Sequence, residues 1–390
     1  MNDPLNIVLY VNNFLPAIGG REMVVFQLAR ALTDIGHQVR VLGPSGFFTH
    51  RKVKFAFPVH RWPKLFGLFP EQIAGMSLSA DLRLWGADVV HAHNTYPTGY
   101  VASRTAATRT VPLIITPHGA DIQTIPKLSY GHRLNPVIRE KIDAAVVAAD
   151  RVTAISENVA AALTEAGAVR EKICMIPNGV DTRRFPAADG AAVRAEFGLG
   201  EQTRLILTVG NYEPRRGHEN LIKSMPSILE KHSAARLVIV GRNTEGLGGL
   251  IEKLGLQRKV VLTGSIQPMA NDRDRLGELY GASDVYVSAG VSGDAEGLSL
   301  AMLDGMAAGL TVVATDISGN RDLIEHDVSG ILVKPGEPSA LSAEISKVLA
   351  TPDLSARLRQ RSSELVAGFD WRAIAERYVD VYREVLRERS

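Results

Sequence analysis

Apolar and polar positions alternate along this chain in a repeating order. The run "NIVLYV" (6–11) is short, apolar and rich in β-branched and aromatic residues, so it reads as a buried strand. "PAIGGRE" (16–22) reads as a turn. "EMVVFQLARALTDIG" (22–36) then places Val24, Leu28, Ala31, Leu32 and Ile35 on one helical side, with Gly36 to end the helix. "HQVRVLGP" (37–44) is the next strand. Strand, Gly-rich turn, helix, strand is the opening of a doubly wound parallel sheet. Further strands are expected at 87–94 and 112–119, both with polar residues at their C-terminal ends, and the pattern continues at 148–156 and 171–181.

The order then restarts. "RLILTVGNYEPRRGHENLIKSM" (204–225) is again strand, turn and helix, and strands follow at 235–241, 259–266, 283–290 and 310–316. The intervening "AADGAAVRAEFGLGEQ" (187–202) reads as a linker. "DWRAIAERYVDVYREVLRE" (370–388) is an amphipathic helix with no strand after it, so it must dock on existing surface. The expected fold is α/β, with two Rossmann-like doubly wound domains, 1–186 and 187–369, facing a cleft, and a closing helical segment 370–390.

Length supports that division, since 390 residues fill two domains at roughly 100–200 residues each. A net charge of +2 gives no global field that points to nucleic acid. The single cysteine, Cys174, cannot form an intramolecular disulfide, which fits a reducing cytosol. The N-terminal stretch has no signal-peptide pattern, and no apolar run reaches about 18 residues, so no spanning helix is expected.

In open α/β sheets, ligands bind beyond the C-terminal strand ends, and the polar residues of both halves collect there. Gly19 and Gly20 let backbone approach an anion at a helix N-terminus, or form a plain turn. His118, ahead of Gly119, can donate to a bound hydroxyl or carbonyl, or close the strand structurally. His91 and His93 share a strand face, but no third ligand is placed by the sequence, so they read as structural and no metal is expected. Arg215 and Arg216, beside Gly217, suit a diphosphate or form a solvated basic turn.

"GDAEGLSLAMLDGMAAG" (293–309) is the richest stretch. A helix expected from about Leu298 would offer the amides of Gly297, Leu298 and Ser299 to a phosphate. Glu296 stands ahead of them, placed to accept from sugar hydroxyls or to favour the helix dipole. Asp304, eight residues on, falls on nearly the same side, or is an exposed helix residue. The Asp-x-Asp of "NDRDR" (271–275) reads as capping or solvated.

Together these motifs resemble the family-four retaining glycosyltransferases of the GT-B fold. The likeness runs nearly end to end, through "GGREMVVFQLARALTDIGHQVRVL", "HG", "AISENVAAAL", "KICMIPNGVDTRRF", "RRGHENLI", "EGLSLAMLDGMAAGLTVVAT" and "DWRAIAERYVDVY". The resemblance implies an acceptor-binding N-terminal domain, a nucleotide-sugar-binding C-terminal domain and a last helix packed back on the first. It implies that Gly20 contacts donor phosphates or acceptor, and that His118 lies against the transferred sugar. Arg216 stands where the family has a phosphate-binding lysine. Glu296 would hold sugar hydroxyls, the amides of Gly297, Leu298 and Ser299 the diphosphate, and Asp304 the ribose. Three departures stand out: Asn211 replaces an arginine whose charge Arg215 would supply, Asp304 replaces a glutamate, and "EGLS" replaces "EGFG".

The implied activity moves a hexosyl group from a UDP- or GDP-sugar to a glycan or lipid-linked acceptor, in surface polysaccharide or glycolipid synthesis. Configuration is retained, and no cofactor or metal is required. A GT-B epimerase or phosphorylase, and a non-catalytic nucleotide-sugar-binding protein, are the alternatives. The segment 47–72 interleaves Arg51, Lys52, Lys54, Arg61 and Lys64 with Trp62 and other large apolar residues. It reads either as a surface that meets an anionic inner leaflet and a membrane-borne acceptor, or as a folded insertion with a core of aromatics. The expected location is cytoplasmic, peripheral at the inner membrane face.

Overall fold

The computed structural model describes residues 3–15, 19–45, 55–63, 71–185, 188–266, 274–291 and 298–390. The chain forms two compact units, one of residues 1–179 with 371–390 and one of residues 180–370.

The first unit carries β1 (Asn6–Val11), β2 (Gln38–Ser45), β3 (Val59–Pro63), β4 (Val89–His93), β5 (Leu113–Thr116), β6 (Arg151–Ala154) and β7 (Ile173–Met175). They form one sheet in the order β3-β2-β1-β4-β5-β6-β7, parallel at every pairing. Helices α1 (Gly20–Asp34), α2 (Glu71–Trp85), α3 (Tyr100–Arg104), α4 (Pro136–Ala148) and α5 (Glu157–Glu165) connect them. The second unit has β8 (Leu205–Val209), β9 (Arg236–Val240), β10 (Val260–Gly264), β11 (Val285–Ser288), β12 (Thr311–Thr315) and β13 (Ile331–Val333). Its order is β10-β9-β8-β11-β12-β13, again all parallel. Its helices are α6 (Gly190–Glu196), α7 (His218–Lys231), α8 (Gly248–Lys253), α9 (Arg275–Ala282), α10 (Leu300–Ala307), α11 (Ser318–Arg321), α12 (Pro338–Ala350) and α13 (Pro352–Val366). The last helix, α14 (Trp371–Arg389), belongs to the first unit.

Central strands are apolar throughout because helices cover both sheet faces. Residues 7–11 of β1 are all buried. The order of each sheet reverses beside its first strand, between β1 and β4 and between β8 and β11. Those reversals are the switch points where this architecture leaves a crevice.

Helix α14 shows what holds an appended helix. Trp371, Ile374, Tyr378, Tyr382 and Val385 are buried, and the helix packs on α1. Arg151 pairs with Glu384 at 2.9 Å and with Glu388, and Arg389 pairs with Asp150 at 2.7 Å.

Two expectations change. The stretch 187–202 is no linker: it holds α6, capped by the Asp189 carboxylate and packed on α9. A Cβ on Gly190 would meet the Gly281 carbonyl carbon at 2.4 Å, so only glycine permits that approach. The unit boundary falls at 179/180 because the Val180 N–H donates to the Phe369 carbonyl and Phe185 joins the second core.

The segment around 55–63 is folded. Phe55 and Phe57 join Phe14 and Phe26 in an aromatic cluster with centroids 5.5–6.2 Å apart. Trp62 is buried in the core and Arg61 donates to the Leu15 carbonyl. Trp62 is thus not offered to a membrane. Arg51, Lys52, Lys54 and Lys64 lie outside the described residues.

Candidate active site

At the switch point of the first sheet, three histidines lie in an array, His91 and His93 buried and His118 half-buried. His91 and His93 project from one face of β4 with ring centroids 4.2 Å apart. His91 is fully satisfied: Nδ1 bonds the Tyr382 hydroxyl at 2.7 Å and Nε2 bonds Thr116 Oγ1 at 2.6 Å. His93 Nδ1 lies 3.1 Å from His118 Nε2, with the rings stacked at 5.3 Å. Burial, and then the Arg21 guanidinium, lowers His93 to a pKa of about 3. Burial, the neighbouring His93 and Arg21 hold His118 well below the ordinary imidazole range. Both rings are therefore neutral at physiological pH and share one N–H between them.

The backbone around His118 is fixed from the next turn. Asp121 accepts from the His118 N–H at 2.8 Å and from the Thr95 N–H at 2.9 Å. Gly119 sits at φ +123°, a value that suits glycine, with the Tyr130 hydroxyl against it. Gln123 is buried there with neither amide atom partnered.

Gly20 is the exposed first residue of α1. The two residues after it reach into the cluster. Arg21 donates to Asn94 Oδ1 at 3.0 Å and to Glu22 Oε1 at 2.7 Å, and Asn13 Nδ2 donates to the same Glu22 oxygen at 3.3 Å. The sequence reading missed Arg21, Glu22, Asp121 and Gln123. The charged pair "RE" after the double glycine, and the polar Asp121 and Gln123 alternating with apolar residues after "HG", were the available signals.

The second unit builds a charged cluster at its own switch point. Strand β8 ends at Val209, just ahead of Gly210, and a short turn, Pro214–Arg216, leads through Gly217 into α7. Gly217 is left-handed at φ +66°, and a Cβ there would lie 1.8 Å from the Ala289 carbonyl oxygen. That close approach seats the basic turn against the end of β11. Gly210 packs against the Arg216 stem and the His218 ring. Burial, then Arg216, lowers His218 to a pKa of about 4, so it too is neutral.

Arg215 turns to Glu213 at 2.7 Å, with its side chain 11% exposed. Glu213 matches its charge within the turn. Asn211 Oδ1 accepts from the Arg242 N–H at 3.0 Å and braces the neighbouring loop.

Helix α10 starts at Leu300, two residues later than expected. Ser299 is its N-cap, and Ser299 Oγ accepts from the Met302 N–H at 3.3 Å. The first-turn amides are therefore those of Leu300 and Ala301, with Leu298 buried just ahead. Glu296 and Gly297 lie outside the described residues. Asp304 stands on α10 with Oδ2 3.5 Å from Arg184 Nη1, while Arg184 grips Asp274 with two bonds of 2.5 and 2.7 Å. Burial raises Asp304 to a pKa of about 6; Arg184 opposes the rise, and Asp274 and Asp181 add to it. Asp274 also caps α9 through the Gly277 N–H. Among the described residues, no group of three His, Cys, Asp or Glu side chains is placed to hold a metal.

Two family models match the chain: "Glycosyltransferase Family 4" over residues 18–184 and "Glycosyl transferases group 1" over residues 191–365. A D-inositol 3-phosphate glycosyltransferase of Acidothermus cellulolyticus is 31% identical over 316 residues, 77% of this chain and 68% of that protein. An N-acetyl-alpha-D-glucosaminyl L-malate synthase of Bacillus anthracis is 23% identical over 384 residues, 96% of each. Among solved structures, Anabaena Alr3699/HepE in complex with UDP-glucose superposes with a TM-score of 0.78 at 19% identity, covering 97% of this chain and 99% of that one.

Proposed function

Because this chain belongs to the family-four glycosyltransferases of the GT-B fold, we propose that it transfers a hexosyl group with retention from a UDP- or GDP-sugar to a glycan or lipid-linked acceptor. The observation that carries the donor side is the basic turn ending in Arg216, seated by Gly217 at the switch point of the second sheet. Arg216 and the first-turn amides of α10 stabilise the charge that develops on the leaving diphosphate. Asp304 accepts from the ribose and Glu296 from the sugar. His118, held neutral, contacts the hexose as a hydrogen-bond partner rather than as a cation.

The C1–O bond to the diphosphate breaks, and a bond from C1 to the acceptor oxygen forms on the same face. The acceptor's hydroxyl proton passes to a leaving-diphosphate oxygen, so no covalent nucleophile and no metal is required. UDP comes first because HepE has been solved with UDP-glucose. The two relatives are named for D-inositol 3-phosphate and L-malate, so small hydroxylated acids belong in the acceptor screen beside lipid-linked glycans. The four cations Arg51, Lys52, Lys54 and Lys64 would provide an inner-leaflet contact, in surface polysaccharide or glycolipid assembly.

The test is calorimetry with UDP-, GDP- and ADP-sugars in EDTA, on wild type and Arg216→Ala. One nucleotide should bind and lose about tenfold or more in the variant. Binding by none of them overturns the reading. A second reading, a nucleotide-sugar-binding protein without transfer, is favoured by the Asp304–Arg184 contact, which occupies the acid assigned to the ribose. Selective donor binding with neither transfer nor donor hydrolysis in the acceptor screen would establish it.

A further inference from the structure

One guanidinium in the second unit serves two carboxylates. Arg184 gives Asp274 two hydrogen bonds, from Nε at 2.5 Å and from Nη2 at 2.7 Å, and turns Nη1 to Asp304 Oδ2 at 3.5 Å. Asp274 is fixed in turn, because its Oδ1 accepts from the Gly277 N–H at 3.0 Å as the cap of α9. Arg184 Cζ also lies 5.2 Å from the centroid of the Phe185 ring. The guanidinium is therefore held from two sides before it meets Asp304, and no step of the donor chemistry above uses it.

The two carboxylates are served unequally. Asp274 takes the fork of paired bonds, and Asp304 takes one long, mainly electrostatic contact on one oxygen. Asp304 Oδ1 hydrogen-bonds nothing among the described residues, and 21% of the side chain is open to solvent. An aspartate has only two side-chain torsions, so drawing Oδ2 toward Arg184 sets the direction of Oδ1.

Few groups decide the charge on Asp304. Burial disfavours it, Arg184 favours it, and Asp274 and Asp181 oppose it again. Asp181 Oδ1 accepts from the Arg183 N–H at 3.2 Å, with the Arg183 guanidinium 4.0 Å away. On α9, the Tyr280 hydroxyl donates to the Ala301 carbonyl, and Arg275 turns to Glu196 and Glu278. Of the elements packed on α10, β11 adds Tyr286, β12 has no titratable group, and α13 buries Ser355, Leu358, Ser362 and Val366 while its charged residues are exposed.

We propose that Arg184 is the positioning residue of a ribose subsite: anchored by Asp274, it draws one oxygen of Asp304 to itself and presents the other to the ribose 2′-hydroxyl, so that the chain tells ribonucleotides from 2′-deoxynucleotides. The inference rests on the donor reading above. An ionised carboxylate accepts a hydroxyl more strongly than a protonated one does, so the discrimination follows the charge on Asp304.

Calorimetry on the full chain from about pH 5 to about pH 8 tests it, with UDP against 2′-deoxy-UDP and GDP against 2′-deoxy-GDP. Both members of a pair carry the same diphosphate, so its titration and the contribution of Arg216 cancel in the ratio of affinities. For wild type the ratio should favour the ribonucleotide about tenfold at about pH 8, and fall toward one as pH drops through about 6. Arg184→Gln should move the midpoint of that fall upward by about one pH unit, and Arg184→Lys should recover part of the shift. Asp274→Asn still caps α9 but removes a like charge and frees Arg184 for Asp304, so it should move the midpoint downward. Opposite shifts from the two members of one ion pair cannot come from lost folding, which would weaken both nucleotides together. A ratio near one at every pH, or a midpoint that Arg184→Gln leaves in place, overturns the proposal and, where the nucleotide still binds, leaves the proposed function standing. Binding of no nucleotide at all overturns both.

Discussion

Asp304 links the proposed donor site to stability, and its substitution by asparagine gives a curve of known sign. The pKa rises from 3.8 to about 6 on folding. At about 1.36 kcal/mol per unit, that is about 3 kcal/mol of preference for the protonated form. Below about pH 4 both folded and unfolded states carry the proton, and nothing is lost. Above about pH 6 the folded state must hold the charge in a buried position, and the full cost is present. Stability from this group therefore falls as pH rises through that window, opposite to a carboxylate held ionised by an ion pair.

The Arg184 attraction is already inside the shift, since it opposes the rise. The side chain keeps 21% exposure, which brings the expected size to about 1–3 kcal/mol. Asp304→Asn removes the titration and leaves Arg184 on Asp274. Other carboxylates titrate in both proteins, so the readout is the difference between mutant and wild type. That difference should favour the mutant increasingly from about pH 4 to about pH 6 and then level off. Urea unfolding must be followed by far-UV circular dichroism, because all three tryptophans, Trp62, Trp85 and Trp371, lie in the first unit and report only on it. A flat difference would refute the reasoning. A difference that favours wild type with rising pH would show that the Arg184 pair, and not burial, governs Asp304.

Arg216→Ala should weaken nucleotide-sugar binding about tenfold or more, while Arg215→Ala should change it less than about threefold, because Glu213 already matches that charge; calorimetry separates the two. His93→Leu should lower kcat by about tenfold to a hundredfold by releasing the His118 ring, with donor KM little changed, and His93→Gln should recover part of it; steady-state kinetics decides. Gly217→Ala should destabilise the second unit by about 1–3 kcal/mol or more, since its φ is +66° and the added carbon meets the Ala289 carbonyl; a urea curve measures it.

The central strands were legible because helices on both faces make them continuous apolar runs, and β1 coincides with 6–11 to the residue. The edges were not. Strand β3 reads "VHRWP", with a cation, a histidine and a proline that only an edge tolerates. Strand β13 is three residues, too short for periodicity to register. The stretch 187–202 looked like a linker because its glycines and alanines carry no apolar stripe. Those small residues are what allow α6 to back onto Gly281. In the site, glycine turns and strand-end residues could be read locally. The partners of His91 could not, since Thr116 is 25 positions away and Tyr382 is 291.

The two switch points solve different electrostatic problems with different means. In the second unit charged side chains are matched in pairs, Arg215 with Glu213 at the basic turn and Arg184 with Asp274. Full charge suits a diphosphate, whose own charge is fixed. In the first unit burial strips the charge from His91, His93 and His118 and leaves a chain of neutral donors and acceptors. Neutral rings suit hydroxyl groups, which gain from a positioned hydrogen bond and have no charge to match. Tyr382 closes that chain from α14, so the helix that ends the sequence also helps fix the ring orientations behind His118. Tyr382→Phe would leave His91 Nδ1 unpartnered in a buried place, at a cost of about 1–3 kcal/mol. Tryptophan fluorescence during urea unfolding would report the loss, since Trp371 lies on the same helix. An unchanged midpoint would mean that His91 is held by Thr116 alone.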